Sequence, residues 1–237
     1  MQVAFFRSFL CLILVLPFAL NDLKKKALTV EMAGPMLLRS LAGGLAMIAY
    51  FQAIAGLPLA TAVMLNYTSP LWAGLFAWLY LNESLSRGVL LAYPLAFTGV
   101  VMVVGGPGGS QDLVAIGLGL ISAVLAGVAY TALRGLRGTP PSLVVLGLCL
   151  VTSVITAPFC YLDFQAPTAL QWGMLWFCAA ASAAAQTLLT LGYRSSKTAS
   201  ASTVGLATVA VSGLLSTLVL GETMGLLQWL GIALLLW

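Results

Sequence analysis

The sequence predicts an all-α integral membrane protein, an inverted five-plus-five helix repeat of which about nine helices are present. Three observations predict it. Apolar segments of about 20 residues, the length that fits a bilayer's hydrocarbon core, follow one another along the chain. Positive charge is present, absent, present, absent in successive loops. The two halves share a residue pattern. Of the 237 residues, 61% are hydrophobic and 7% charged, whereas a soluble domain carries about 25% charged residues. The longest polar connection, Asn21 to Gly34, is too short to fold independently, so no soluble domain is expected.

Nine apolar segments run roughly Met1–Leu20, Met36–Ala55, Leu59–Leu81, Val89–Gly105, Leu113–Leu133, Leu143–Leu162, Leu170–Gly192, Ala199–Leu220 and Met224–Trp237. Each is expected to be a helix, because only a helix satisfies its own backbone where there is no water. Met1–Leu20 carries Arg7 inside it and has no charged region before it, so it does not read as a cleavable signal peptide. Pro70 and Pro94 are tolerable within spans, since neighbouring helices take up the freed backbone groups.

The loops give sidedness. Lys24, Lys25 and Lys26 occupy the first, with Arg39 just inside the next helix; Arg87 lies in the third, Arg134 and Arg137 in the fifth, Arg194 and Lys197 in the seventh. The second loop is uncharged, and the fourth, sixth and eighth hold only Asp112, Asp163 and Glu222. Nine of the ten cations thus fall on one side, which the positive-inside rule makes cytoplasmic. The tenth is Arg7. The net charge of +4 therefore belongs beside anionic lipid headgroups, and nucleic acid is not expected as a partner.

The repeat is modest in letters. Ala60-Thr61-Ala62 aligns with Ala199-Ser200-Ala201, Gly74-Leu75 with Gly213-Leu214, and Leu79, Leu81 and Glu83 with Leu218, Leu220 and Glu222. Glu83 falls on the cytoplasmic side and Glu222 outside, so the repeats are inverted. The expected division is a first repeat over 1–105, a linker over 106–112 and a second repeat over 113–237. Against that repeat the chain is expected to lack one N-terminal helix and to carry a truncated last one. Inverted repeats characterise secondary transporters, with the solute site near the midplane.

Val3-Ala4-Phe5-Phe6-Arg7 opens a helix, and Ala60-Thr61-Ala62 is followed by Asn66-Tyr67-Thr68-Ser69-Pro70-Leu71-Trp72 and then Leu81-Asn82-Glu83-Ser84-Leu85. Leu220-Gly221-Glu222-Thr223 repeats the last element. In these motifs the whole chain resembles the EamA-type members of the drug/metabolite transporter superfamily. The resemblance implies a ten-helix carrier with a central cavity lined largely by the third, fourth, eighth and ninth family helices. The Gln2–Arg7 run is also similar to bacterial S-adenosylmethionine importers.

The candidate solute-binding residues are Arg7, Gln52, Asn66, Tyr67, Ser69, Pro70, Trp72, Gln186, Thr190 and Thr208. Arg7 either snorkels to the outer headgroups or holds an anionic group in the cavity. Asn66 to Pro70 is the densest polar cluster in any apolar segment; Pro70 leaves the Asn66 carbonyl without its helical donor. It is either a packed kink or a polar-solute site. The Gln186, Thr190 and Thr208 positions are either packing contacts or cavity lining. Trp72 is the aromatic candidate, and Gln52 lies near the outer end of its helix. All six acidic residues lie at helix ends or in loops. There is no histidine, the commonest metal ligand and general base, and Cys11, Cys149, Cys160 and Cys178 show no zinc-type spacing. The cysteines read as packing thiols. No catalytic residue, metal or cofactor is expected, and the chain is not expected to be an enzyme.

The function expected is a carrier in the plasma membrane or bacterial inner membrane that moves a small polar or amphiphilic metabolite by alternating access. The alternatives are an S-adenosylmethionine-type uptake carrier and a non-transporting membrane scaffold. Its expected partners are the solute and the bilayer, with a homodimer also open to it. The orientation has a direct test: a single cysteine at position 25 should resist an impermeant thiol reagent in intact cells, while one at position 112 should be labelled. The reverse pattern overturns the orientation.

Overall fold

The computed structural model describes residues 1–25, 30–82, 94, 98, 112–162, 164–195, 211, 217, 218 and 230. The described residues form helices throughout: α1 (Gln2–Lys25), α2 (Val30–Gly56), α3 (Leu59–Asn66), α4 (Ser69–Leu81), α5 (Leu113–Ala132), α6 (Pro141–Leu162) and α7 (Ala169–Ser195), with a 3-10 turn at Leu133–Leu136 after α5. Five are long and apolar enough to cross a membrane: α1, α2, α5 with its 3-10 turn, α6 and α7. The predicted segments Val89–Gly105, Ala199–Leu220 and Met224–Trp237 lie, apart from isolated positions, outside the described residues. So do Lys26, Glu83, Arg87, Asp163, Lys197, Thr208 and Glu222.

Two expectations about the spans are corrected. The polar stretch Asn21–Gly34 is not a loop throughout. α1 runs on to Lys25 and α2 begins at Val30. Polarity marks where the chain meets water; it does not end a helix. Lys24 and Lys25 in the last turn of α1 and Glu31 in the first turn of α2 each complement the helix dipole and prolong the helix past the apolar span. The second correction is the Leu59–Leu81 segment, which is two helices. Tyr67 and Thr68 form a turn between α3 and α4. Pro70 has no N–H to offer the Asn66 carbonyl, and the ladder shortens around it. The Thr68 N–H donates to the Leu65 carbonyl at 3.2 Å and the Leu71 N–H to the Thr68 carbonyl at 2.9 Å.

Helix ends are satisfied by local chemistry. The Val114 N–H donates to Asp112 Oδ1 at 2.9 Å, making Asp112 the N-cap of α5. Thr168 and Gln171 form a reciprocal capping box ahead of α7: the Thr168 N–H donates to Gln171 Oε1 at 2.8 Å and the Gln171 N–H to Thr168 Oγ1 at 3.4 Å. α4 ends on Asn82 in the left-handed region, φ 52°, a conformation that asparagine tolerates better than most side chains.

The chain forms two compact units. Unit 1 comprises Met1–Ile48 and Val128–Ser196; unit 2 comprises Ala49–Gly127 and Lys197–Trp237. Each draws on both halves of the sequence. In unit 1, α1 packs chiefly on α6 and then on α7. Its core joins Phe6, Leu10, Cys11 and Val15 of α1 to Val145, Cys149 and Cys160 of α6 and to Leu175 and Ala179 of α7. The α1 residues recur at helical spacing on one stripe. Phe9, Ile13, Leu16 and Phe18 on its other faces are exposed, as suits a lipid-facing surface. In unit 2 the core joins Ala53 and Leu57, Ala62 and Leu65, and Ala115.

Glycines set the closest approaches in unit 2. A Cβ at Gly127 would stand 2.5 Å from the Trp72 Cβ and 2.9 Å from the Ala73 backbone nitrogen, and one at Gly119 would stand 2.9 Å from Leu65 Cδ1. Backbone cannot swing aside as a long side chain can. Gly127→Ala is therefore expected to cost about 1–3 kcal/mol, read as thermal or SDS-induced unfolding in detergent. Gly117→Ala, whose Cβ meets nothing within 4 Å, serves as the neutral control.

Candidate functional site

The polar side chains inside the helices sort by where their hydrogen bonds go. Several serve only their own helix. Thr152 Oγ1 donates to the Leu148 carbonyl at 2.7 Å, Thr156 Oγ1 to the Thr152 carbonyl at 2.7 Å, Thr187 Oγ1 to the Ala183 carbonyl at 2.8 Å and Thr190 Oγ1 to the Gln186 carbonyl at 2.7 Å. These are the backbone-directed bonds by which a hydroxyl is accommodated in a lipid-embedded helix. A second group depends on partners from other helices.

In unit 2 that group surrounds the α3–α4 break. Asn66 is half-buried, and its Nδ2 donates to Ser122 Oγ of α5 at 2.9 Å. Ser122 Oγ in turn donates to the Gly119 carbonyl at 2.6 Å. Thr68 and Ser69 are buried, and Thr68 Oγ1 donates to the Leu65 carbonyl at 2.8 Å. Pro70 is buried in the first turn of α4, Tyr67 is half-buried as the C-cap of α3, and Trp72 is half-buried with its ring 6.3 Å from that of Phe76. Thr61 Oγ1 is buried with no hydrogen-bond partner among the described residues. Gln52, on α2, is exposed.

In unit 1 the polar interior centres on a residue that the sequence places wrongly. Arg39 is expected in the first turn of its helix, with the cytoplasmic charges. Because α2 begins at Val30, Arg39 instead lies nine residues beyond Val30 and is only 2% exposed. Its Nη2 donates to Gln186 Oε1 of α7 at 2.7 Å. Its guanidinium carbon lies 5.8 Å from the centre of the Tyr130 ring, in reach of a cation–π attraction, and Tyr130 stacks on Tyr193 at 5.0 Å. Its Nε is buried with no hydrogen-bond partner among the described residues. The signal that finds it is Glu31, the acidic first-turn residue that sets the true helix start.

Gln186 also lines a cavity of about 10 Å³, room for about one water, together with Arg7, Ser8, Met47, Thr152 and Ser182. Cys11 and Cys149 complete part of its wall, their sulfurs 3.2 Å apart. The structure thus brings two predicted residues, Arg7 and Gln186, to one cavity of unit 1. It gathers Asn66, Tyr67, Ser69, Pro70 and Trp72 at the break in unit 2. Thr190 is buried beside Gln186 on α7, and Thr208 lies outside the described residues. Unit 1 holds larger hollows as well: one of about 350 Å³ lined by Gln2, Phe6 and Gln171, and one of about 700 Å³ lined by Leu14, Phe18, Asp22 and Ala183.

The chain matches the model of the EamA-like transporter family over residues 1–105 and 113–237. It is 31% identical over 194 residues, 81% of this chain and 68% of the relative, to the pseudopaline exporter CntI of Pseudomonas aeruginosa strain UCBPP-PA14. It is 33% identical over 142 residues, 58% of this chain and 46% of the relative, to an uncharacterized transporter of Helicobacter pylori strain J99. A solved crystal structure shares the fold, with a TM-score of 0.76 and 18% identity, over 99% of this chain and 85% of that one.

The Asn66–Ser122 bond is measurable by itself. A double-mutant cycle on Asn66→Ala and Ser122→Ala is expected to return a coupling of about 1 kcal/mol in detergent unfolding. Strictly additive losses would mean that the two side chains do not support each other.

Proposed function

The chain belongs to the EamA-like transporter family, and from that premise we propose that it is a carrier moving a small polar or amphiphilic metabolite across a bacterial inner membrane by alternating access. That it is a multi-pass membrane transporter follows from the family and from its five apolar spans. The observation that carries the finer reading is the α3–α4 break. Transporters build solute sites from discontinuous helices, because only an interrupted helix presents backbone polar groups at membrane depth. Here the interruption coincides with Asn66, Ser69 and Pro70, and Asn66 is held by Ser122 of α5. The relatives named for pseudopaline export support outward movement of the solute.

Candidate solute-binding groups are proposed within each unit by itself: Asn66 and its neighbours in unit 2, and Arg7 and Gln186 in unit 1. Each is a polar group whose burial is costly unless a protein group, water or solute answers it. Alternating access needs such groups to change partners as the helices move, which self-satisfied threonines cannot do.

Counterflow in proteoliposomes with a panel of amino acids, opines, nucleosides and polyamines tests the reading. Saturable movement of at least one solute is expected, with Asn66→Ala reducing the rate about tenfold, the loss of one hydrogen bond of about 1.4 kcal/mol, while insertion is retained and stability falls by no more than about 1 kcal/mol, that of the Asn66–Ser122 bond. Failure of every solute to move or to stabilise the protein thermally would sink the carrier reading.

A further inference from the structure

Unit 1 buries a permanent positive charge that the described residues do not neutralise. Arginine keeps its proton at any physiological pH. Arg39 is 2% exposed, yet its only hydrogen-bond partner among the described residues is the neutral amide of Gln186, and the Tyr130 ring adds a second, weaker attraction. Space has been made for it. A Cβ at Gly43 would stand 2.7 Å from Arg39 Nη1, so the helix gives up a side chain to admit the guanidinium. A buried charge left without a counter-charge costs several kcal/mol. In membrane helices such a group marks a functional position.

The charge is also transmitted. A guanidinium has donors and no acceptor, so the oxygen of the Gln186 amide must be the atom that faces it. The two N–H donors of the Gln186 amide are then left for the rest of its surroundings, which include the cavity it lines. Arg7 lines the same cavity. The other polar side chains that line it among the described residues, Ser8, Thr152 and Ser182, are neutral, and none of the described lining residues is a carboxylate. Ser8 Oγ donates to Met47 Sδ at 3.6 Å and Thr152 Oγ1 to its own helix, so neither hydroxyl proton is left for the cavity.

We propose that this cavity, flanked by Arg7 and by the Arg39–Gln186 pair, receives an oxyanion group, carboxylate or phosphate, of the transported solute. The proposal rests on the carrier reading and narrows it to solutes that carry such a group. Arg7 and the Gln186 amide supply the direct donors, and Arg39 supplies charge from behind and fixes which way the amide points. Charge-assisted hydrogen bonds of this kind are about twice as strong as neutral ones. The cavity holds about one water as it stands, so the oxyanion enters by displacing it. Met47, unbranched and adaptable, is the wall residue whose movement makes the room.

The test is thermal unfolding of the full chain in neutral detergent at fixed ionic strength, with glutarate, L-glutamate, citrate and inorganic phosphate as probes and neutral glutaramide as control. At least one anionic probe is expected to raise the midpoint saturably, and glutaramide to leave it unmoved. Gln186→Glu supplies Arg39 with an internal carboxylate, so the variant should fold and lose the response by about tenfold or more in apparent affinity. Arg7→Gln, read the same way, keeps the test decisive if Gln186→Glu fails to fold. No response to any anionic probe, or an unchanged response in the folded variants, overturns the proposal. A response produced only by phosphatidylglycerol in mixed micelles also overturns it, because the site is then a lipid site. Anionic stabilisation with no solute moved in proteoliposomes would refute the carrier reading and leave the oxyanion site standing. Transport of neutral solutes with no anionic response would do the opposite.

Discussion

Where a chain crosses a bilayer, no solvent completes an unfinished hydrogen bond, and the described structure is organised by that constraint. It makes every described span a helix. It also explains why helix ends carry their own donors and acceptors, as in the Thr168–Gln171 capping box and the Asp112 cap. The one interruption inside a predicted span among the described residues follows the same rule. The turn at Tyr67 and Thr68 is enclosed by protein, with Thr68 and Ser69 buried and the Thr68 hydroxyl turned back on the Leu65 carbonyl. A break of this kind facing lipid would leave backbone groups unanswered at several kcal/mol each. Burial of the break is thus what permits it.

The same absence of water removes the usual force between helices. Lipid tails are as apolar as leucine, so helices associate by close packing and by polar bridges. The contacts reflect this. Gly119 and Gly127 admit Leu65 and Trp72 of α3 and α4, while Gly43 admits the Arg39 headgroup. The large apolar side chains stand on the outside instead: Phe177, Leu188 and Leu170 of α7 are among the most exposed. α7 therefore meets the rest of unit 1 along a narrow stripe, Leu175, Ala179, Gln186, Thr190 and Tyr193. Along that seam Arg39 Nη2 donates to Gln186 Oε1, and near its end Arg194 donates to the Arg137 carbonyl.

Much of the fold was legible because its signals are local. Segment length and hydropathy locate α5, α6 and α7 within three residues, and stop short of the end of α1 by five and of the start of α2 by six. Pro70 was legible as a disturbance, but whether it kinks or breaks a helix depends on what encloses it, and that is tertiary information. Arg39 is misplaced by a reading in which polarity ends the helix, because Lys24, Lys25 and Glu31 extend their helices past the apolar spans. Among the candidate residues, Asn66 and Gln186 stood out as amides in apolar segments. Their partners, Ser122 and Arg39, are 56 and 147 residues away in sequence, and nothing local announces such pairs. Thr190 looked the same as Gln186 on the helix, yet its hydroxyl is consumed by its own backbone.

That difference separates the polar groups that build the protein from those able to serve a solute. A threonine bonded to its own helix keeps that bond however the helix moves. Arg39, Gln186, Asn66 and Ser122 hold bonds that exist only while particular helices are adjacent. On the alternating-access mechanism proposed above, parting of the helices would take these partners away, and the bond energy of each would become available to whatever enters. For Asn66 that energy is the modest one of a neutral hydrogen bond. For Arg39 it is larger, because the exposed remainder is a full charge. The loop cations and the interior arginines therefore play different physical parts. Lys24 and Lys25, at the end of α1, lie where water and lipid headgroups answer them, and they bear on orientation. Arg7 lines a cavity of unit 1, and Arg39 is buried against Gln186 and the Tyr130 ring, with no carboxylate hydrogen-bonded to it among the described residues.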